Sequence, residues 1–286
     1  MLNEQQLQQI QSLQQHCEQA DGLSLKLNWE MLSHRNADEK QDYLHYNHDN
    51  MLIGFLGVYR WGSQVEICGM VHQNYRRQGI FTSLWTQAIH QIQLDGYSLL
   101  LLNTPANSLS GEMFLKSIPC KYENSEYQMK WDEQVGMDNP LLPDESISQD
   151  VQVSIRKATL QDVPQLIRLD LDGFNMSLED TQDLYLPLTE DSIQNDFMIE
   201  FNSLTVGKIR VSPIDSITWI NAFTVDATVR GQGIGRRALR QVIERQRSDD
   251  NSLWLEVAVH NPNALHLYES CGFIIQEKQD YYLYTG

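Results

Sequence analysis

The sequence predicts an α/β fold built as two tandem copies of one domain, each a mixed sheet with helices on both faces. Three observations predict it. Residues Trp219 to Phe273 read as strand, glycine loop, helix, strand, helix, an order that covers a sheet on both sides. An earlier stretch repeats that order at a constant offset: Gly79 and Gly233, Asn107 and Asn261, Phe114 and Tyr268, and Tyr127 and Tyr281 each stand 154 positions apart. A gap-free offset of that length is far too long for a solenoid repeat and marks a duplicated domain. Finally, Asp132 to Asp150 holds Asn139-Pro140, Pro143 and the acids Asp132, Glu133, Asp138 and Asp144, the composition of a linker. The domains are accordingly placed at 1–135 and 151–286, with 136–150 between them.

The chain has 286 residues and 41% hydrophobic content, enough for two cores. Met1 to Gln19 is rich in glutamine rather than apolar, so it is not read as a signal peptide. No run of 18 apolar residues occurs, so no membrane span is expected. The cysteines Cys17, Cys68, Cys120 and Cys271 are scattered without Cys-x-x-Cys spacing. That pattern fits reduced thiols in a cytoplasmic protein. The histidines are scattered as well, so no metal site is expected. A net charge of −17 speaks against nucleic acid as a partner, which would need clustered Lys and Arg. The oligomeric state is left unassigned.

In the first copy, Leu7, Ile10, Leu13 and Cys17 fall on one face of a helix over residues 4–19. Leu23 to Trp29 alternates and reads as a short strand. Tyr43–His48, Met51–Trp61 and Gln64–Val71 read as antiparallel strands that turn at His48-Asp49-Asn50 and at Gly62-Ser63. Arg76-Arg77-Gln78-Gly79-Ile80-Phe81 then leads a helix to Leu94. An apolar strand Tyr97–Asn103, a short helix Ser110–Ser117 and a strand Tyr122–Trp131 follow. The second copy opens with a strand Val151–Lys157 and a helix Gln161–Leu169.

Its centre is Arg230-Gly231-Gln232-Gly233-Ile234-Gly235, between the apolar run Trp219–Val225 and the helical pattern Ile234–Arg247. Three glycines in six residues allow a tight turn with successive N–H groups exposed. The adjoining helix start adds its own unpaired N–H groups and the positive end of its dipole. Together these make an anion site suited to a pyrophosphate. The spacing is not Gly-x-Gly-x-x-Gly, so it is not a dinucleotide fingerprint. A second motif follows in Asn261-Pro262-Asn263-Ala264-Leu265-His266-Leu267-Tyr268, and then Gly272-Phe273.

Arg-x-x-Gly-x-Gly joined to Asn-x-x-Ala-x-x-Leu-Tyr resembles the GNAT superfamily of acetyl-CoA-dependent N-acetyltransferases. The resemblance implies a mostly antiparallel sheet, splayed between its fourth and fifth strands to admit acetyl-CoA. It implies that the N–H groups of Gln232, Gly233, Ile234, Gly235 and Arg236 cradle the pyrophosphate beside Gly231, with Arg230 adding charge. It implies that the backbone of Phe223, Thr224 and Val225 pairs with the pantetheine arm. Asn261 and Ala264 belong to the second motif; Asn261 either hydrogen-bonds the pantetheine or caps the helix that Pro262 begins. Tyr268 stands where the family's tyrosine protonates the departing thiolate, a sensible task for a phenol. The alternative for Tyr268 is a packing role.

Leu255-Glu256-Val257 puts a carboxylate in an otherwise apolar strand, where it is either paired or working. The context resembles the branch that acetylates ribosomal-protein N-termini, which implies Glu256 as general base. His260 and a water held by Asn221 compete for that role. On the acceptor side, no basic residue lies between Arg168 and Lys208, while nine acids do: Asp170, Asp172, Glu179, Asp180, Asp183, Glu190, Asp191, Asp196 and Glu200. They read either as a negative mouth for a cationic amine or as a solvated charge run. In the first copy, Phe81 replaces the last loop glycine and is expected to crowd the pyrophosphate. Phe114 replaces Tyr268, so this copy is read as catalytically silent, left to bind coenzyme A, to form part of the acceptor site or to stabilise its twin; Glu66, an acid within an apolar strand, is the residue that would support activity there.

Overall fold

The computed structural model describes residues 2–33, 35, 40–61, 64–97, 99–138, 152–174, 176–185, 189, 193–214, 216–247 and 251–286. The expected turn at Gly62-Ser63 and most of the expected linker lie outside these residues. The chain forms two compact units, one of residues 1–125 with 277–286 and the other of residues 126–276.

In the first unit, helix α1 (Glu4–Asp21) starts at Asn3, whose side chain accepts from Gln6 N–H while the Gln6 side chain accepts from Asn3 N–H. It ends at Gly22, which takes the left-handed conformation that a glycine adopts without penalty. Helix α2 (Trp29–Ser33) follows. The expected strand over Leu23–Trp29 does not form. The Leu25 N–H donates to Glu18 and the Leu25 carbonyl accepts from Gln14, so α1 side chains satisfy a backbone that alternation alone would have placed in a ladder.

Strands β1 (Asp42–Tyr46), β2 (Leu52–Trp61) and β3 (Gln64–Val71) pair antiparallel in sequence. Helix α3 (Ile80–Leu94) returns the chain to β4 (Leu99–Pro105), parallel to β3. Alternation along β2 sends Leu56 and Val58 to a core with Ile80, Leu84, Ala88 and Ile92 of α3. It sends Phe55 and Tyr59 to the opposite core with Ile10, Leu13 and Cys17 of α1. The sheet is thus buried on both faces. Helix α4 (Leu109–Leu115) and strand β5 (Cys120–Trp131) follow, and α5 (Glu133–Asp138) closes this half of the sequence.

The second unit repeats the plan. Strand β6 (Val153–Lys157), helices α6 (Val163–Phe174) and α7 (Leu178–Tyr185), and strands β7 (Asp196–Phe201), β8 (Leu204–Ile214) and β9 (Ile217–Val225) come first. Helix α8 (Ile234–Gln246), strand β10 (Ser252–Ala258), helix α9 (Pro262–Ser270) and strand β11 (Phe273–Tyr284) complete the chain. Ile234, Ala238, Leu239, Val242 and Ile243 recur at helical spacing and bury one face of α8 against the sheet.

The last strands are exchanged. Residues from Glu126 in β5 pair antiparallel with β10, giving the second unit the order β5-β10-β9-β8-β7-β6. Gln279 to Leu283 of β11 pair with β4, giving the first unit the order β1-β2-β3-β4-β11. Each unit therefore ends in a strand from the other half of the sequence, and its boundary differs from a simple division into 1–135 and 151–286. Among the described residues no helix is long and apolar enough to cross a membrane.

Candidate active site

In the second unit β9 and β10 run parallel from Ile217 and Ser252 as far as Ile220 and Leu255. Beyond that pair no register continues. Asn221 and Glu256 are thus the first residues past a fork in the sheet. A β-bulge widens the β9 side: the β8–β9 register passes from Lys208–Thr224 to Arg210–Asn221, so Ala222 and Phe223 oppose Ile209 alone. Ala222 takes φ 46°, unusual for a residue with a side chain. A bulge leaves one residue outside the ladder and re-aims its neighbours. The backbone of Phe223 to Val225 therefore borders the fork. The Thr224 side chain is buried against α6, where a carbon on Gly173 would meet its Oγ1 at 2.4 Å. Only its main chain can face the cleft.

Above the fork Asp226 caps a single 3₁₀ turn over Ala227–Val229, and Arg230 Nε donates to the Val225 carbonyl at 2.7 Å. Gly231 and Gly233 both have positive φ, 78° and 73°. The first helical donor is Arg237 N–H, to Gly233 O. The N–H groups of Ile234, Gly235 and Arg236 come before it and have no partner in the helix. Gly231 and Gln232 are exposed at the loop, and Arg230 is exposed beside it. Arg236 Nε is buried without a hydrogen-bond partner. A carbon on Gly235 would lie 3.4 Å from Leu267 and 3.5 Å from Phe223, an ordinary contact.

Asn261 caps α9 by accepting from Ala264 N–H at 3.1 Å, with Pro262 at the first position. This is the capping role, and it leaves the amide nitrogen of Asn261 uncommitted to that bond. Tyr268 lies on the buried face of α9, its ring 6.3 Å from Phe223 and 6.2 Å from Phe273. Burial, with Cys271 adding to it, holds its phenol well above the ordinary tyrosine value. Among the described residues its hydroxyl has no hydrogen-bond partner. Glu256 is half-buried and accepts from Gln128 Nε2 at 2.9 Å. His260 is exposed at the end of the β10–α9 turn.

Four of the nine acids of the run are paired with basic side chains. Asp170 pairs with Lys208, both 2% exposed or less, and Tyr185 donates to Asp170 at 2.6 Å while accepting from Lys208 at 2.6 Å. Asp172 meets Arg168 at 3.2 Å, Asp196 meets Arg210 at 3.9 Å and Glu200 meets Arg156 at 2.8 Å. Asp180 caps α7 with Ser177. Glu190, Asp191 and the Asp183 side chain lie outside what is described. The run is first a set of structural ion pairs, with Glu179 and Asp180 in the first turn of α7, where the helix dipole favours them.

The first unit repeats the loop closely. Arg76 Nε donates to Val71 O at 2.9 Å, and Gly79 takes φ 78°. Arg77 keeps the left-handed conformation of Gly231 with φ 63°, although it carries a side chain. Three things differ. Arg76 is bound to Asp21 through two hydrogen bonds of 2.9 and 2.7 Å. The β2–β3 register runs without a bulge, and β3 pairs with β4 one residue further, to Ile67 and Leu102. Phe114 stands at the tyrosine position, its ring 4.6 Å from Phe81. A cavity of about 440 Å³ nevertheless opens here, lined among others by Arg77, Gly79, Phe81, Asn103, Met113 and Phe114.

The duplicated sheet, forked under a glycine loop, places the chain among the α/β acyltransferase folds. It belongs to the acetyltransferase (GNAT) family, whose model matches residues 5–113 and again 164–273. Over 70 residues it is 37% identical to N-alpha-acetyltransferase 30 of Saccharomyces cerevisiae, 24% of this chain and 40% of that protein. Over 103 residues it is 27% identical to spermidine N(1)-acetyltransferase of Vibrio cholerae, 34% of this chain and 60% of that one. The matched stretch is thus less than two thirds of either relative. A GCN5-related N-acetyltransferase from Sphaerobacter thermophilus shares the fold at TM-score 0.73 with 16% identity, over 96% of this chain and 91% of that one. A tandem GNAT protein from the clavulanic acid biosynthesis pathway shares it at TM-score 0.65 with 12% identity, over 98% and 95%.

Proposed function

We propose that the second unit transfers an acetyl group from acetyl-CoA to a primary amine. The observation that carries this is the fork of β9 and β10, which opens at Asn221 and Glu256 below the glycine loop. The residues fit acetyl-CoA. The loop offers the unused N–H donors of Ile234, Gly235 and Arg236, a donor set suited to a diphosphate. The backbone of Phe223, Thr224 and Val225 lies past the last β9–β10 pair, and its edge away from β8 is one an amide-bearing arm can pair with. Bound there, acetyl-CoA supplies the activated thioester. Glu256 takes a proton from the attacking amine, and Tyr268 gives one to the sulfur. Tyr268 suits that part because burial keeps its phenol protonated throughout the neutral range.

The acceptor assigned is a cationic amine, either a polyamine-like small molecule or a peptide N-terminus. The names of the two relatives support this class, as do the net charge of −17 and the acidic first turn of α7. A thiol-release assay over a panel of amines tests it. Turnover with cationic amines is expected, with KM rising as salt is added. Silence across the panel would remove the enzymatic reading, and a flat salt response would remove the charge selection.

A second reading concerns the first unit, and the 440 Å³ cavity beneath its repeated loop favours it. We propose that this cleft binds coenzyme A without turnover. Leu102 stands where Glu256 would be and Phe114 where Tyr268 would be, so the two proton carriers of the second unit are not repeated at these positions. Titration calorimetry with acetyl-CoA is expected to give two sites per chain; one site would overturn this reading alone.

A further inference from the structure

We infer that Gln128 is a positioning residue for Glu256, lent to the reaction centre by the first half of the sequence. This rests on the reading of Glu256 as general base. Gln128 precedes the linker, yet the exchange of last strands makes it part of the second unit, directly across from Glu256 in the β5–β10 ladder. Its side chain is 8% exposed, and its Nε2 donates to Glu256 Oε1 at 2.9 Å.

Two features set the pair apart from ordinary sheet packing. Glu256 is the first residue of β10 past its last pairing with β9, so the bond is made at the opening of the fork. The corresponding register position of the first unit is occupied by Tyr282 facing Leu102, a pair with neither amide nor carboxylate. The polar pair occurs only in the unit that carries the tyrosine and the bulge. A neutral amide is the appropriate donor for this task. It fixes one carboxylate oxygen by a charge-assisted bond without adding a positive charge beside it. A lysine or arginine there would tie up the carboxylate as an ion pair.

The test is made in the full-length protein with Gln128→Met, which keeps length and apolar bulk but donates nothing. The expected result is a fall in kcat of about tenfold, the size of one charge-assisted hydrogen bond, with KM for acetyl-CoA unchanged. In a Glu256→Gln background the same change is expected to cost nothing further. Gln128→Glu, which sets a second carboxylate beside the first, is expected to move the acid limb of the pH–rate profile up by about one unit or more. A wild-type kcat in Gln128→Met overturns the assignment, as does an undiminished fall in the Glu256→Gln background, which would mean a packing effect. A wild-type rate in Glu256→Gln alone overturns the base reading beneath it and is distinguishable from both. If Gln128→Met does not fold, an unmoved acid limb in Gln128→Glu overturns the assignment independently.

Discussion

Gly69 leaves the space that the ring of Phe81 fills: a carbon built on Gly69 would stand 2.8 Å from Cε2 of Phe81. The equivalent positions of the second unit hold the reverse combination, Phe223 on the strand and Gly235 on the helix. One ring occupies this volume in each unit, supplied from opposite sides. The expectation that Phe81 crowds the pyrophosphate loop is therefore corrected. Its ring turns toward β3 and stacks edge-on against Phe114.

The exchange separates packing glycines from ligand glycines. Gly69→Ala is expected to destabilise the protein by about 2–3 kcal/mol, because the added carbon would also lie 2.5 Å from the Phe55 carbonyl. Gly235→Ala meets nothing closer than 3.4 Å and sits in the first turn of α8, so urea unfolding is expected to show no loss of stability. Weakened acetyl-CoA binding by Gly235→Ala, measured by calorimetry, would then belong to the ligand and not to the fold. Unchanged binding would make the glycine irrelevant to the cradle. Gly233→Glu, which puts bulk and negative charge at the loop, is expected to abolish binding.

Tyr268→Phe is expected to lower kcat by about 10- to 100-fold with little change in KM for acetyl-CoA. The buried ring packs the same way without its hydroxyl, and that hydroxyl has no hydrogen-bond partner among the described residues, so the fold should be untouched. Burial raises the folded-state value of the phenol, which therefore stays protonated up to the ordinary tyrosine range and beyond. The pH–rate profile should show no alkaline loss from this group below about pH 10. A wild-type rate in the variant would strip Tyr268 of the donor role.

The acid limb of stability has an identifiable contributor. Hydrogen bonds from Arg156, then from Thr159, hold the Asp162 carboxyl at about 2, below its ordinary value. A carboxylate depressed in the folded state stabilises above the unfolded value, and the gain is lost as pH falls through the folded one. Asp162→Asn is expected to cost about 1 kcal/mol at pH 7. Chemical denaturation followed from pH 5 to pH 2 should show the two proteins converging over the lower half of that range. A pH-independent difference would mean that the variant acts through packing.

The loop was legible because glycine at Gly231 and Gly233 advertises a positive φ, and Asn261-Pro262 advertises a helix start. The bulge was not, because Ala222 adopts its left-handed conformation within the β8–β9 ladder and carries no sign of it in its identity. The exchange of last strands was equally hidden. Tyr122–Trp131 reads as a strand whichever sheet receives it, and only tertiary pairing gives Gln128 to Glu256. The acidic run shows the limit of counting charges. Arg168, Lys208, Arg210 and Arg156 stand at or outside its ends and reach it through α6 and the sheet register, so four of the nine acids are neutralised by partners that the run itself does not contain.

The most costly of those partnerships to disturb is Lys208 with Asp170. Burial alone would drive the Lys208 ammonium toward its neutral form, and Asp170 opposes that shift. Asp170 is on α6 and Tyr185 is at the end of α7, so the cluster ties both helices to β8. Lys208→Met strands a buried carboxylate and is expected to cost about 3–5 kcal/mol. Adding Asp170→Leu removes the stranded charge, and most of the loss should be recovered, since an apolar pair of similar volume needs no compensating ion. The resemblance to the family implies that these helices flank the acceptor. The single variant should therefore raise KM for the amine while leaving acetyl-CoA binding alone, with faster amide exchange in α7 as the physical readout. Equal stability of the single and double variants would mean that the carboxylate is already neutral, and the cluster would then be a chain of hydrogen bonds and not an ion pair.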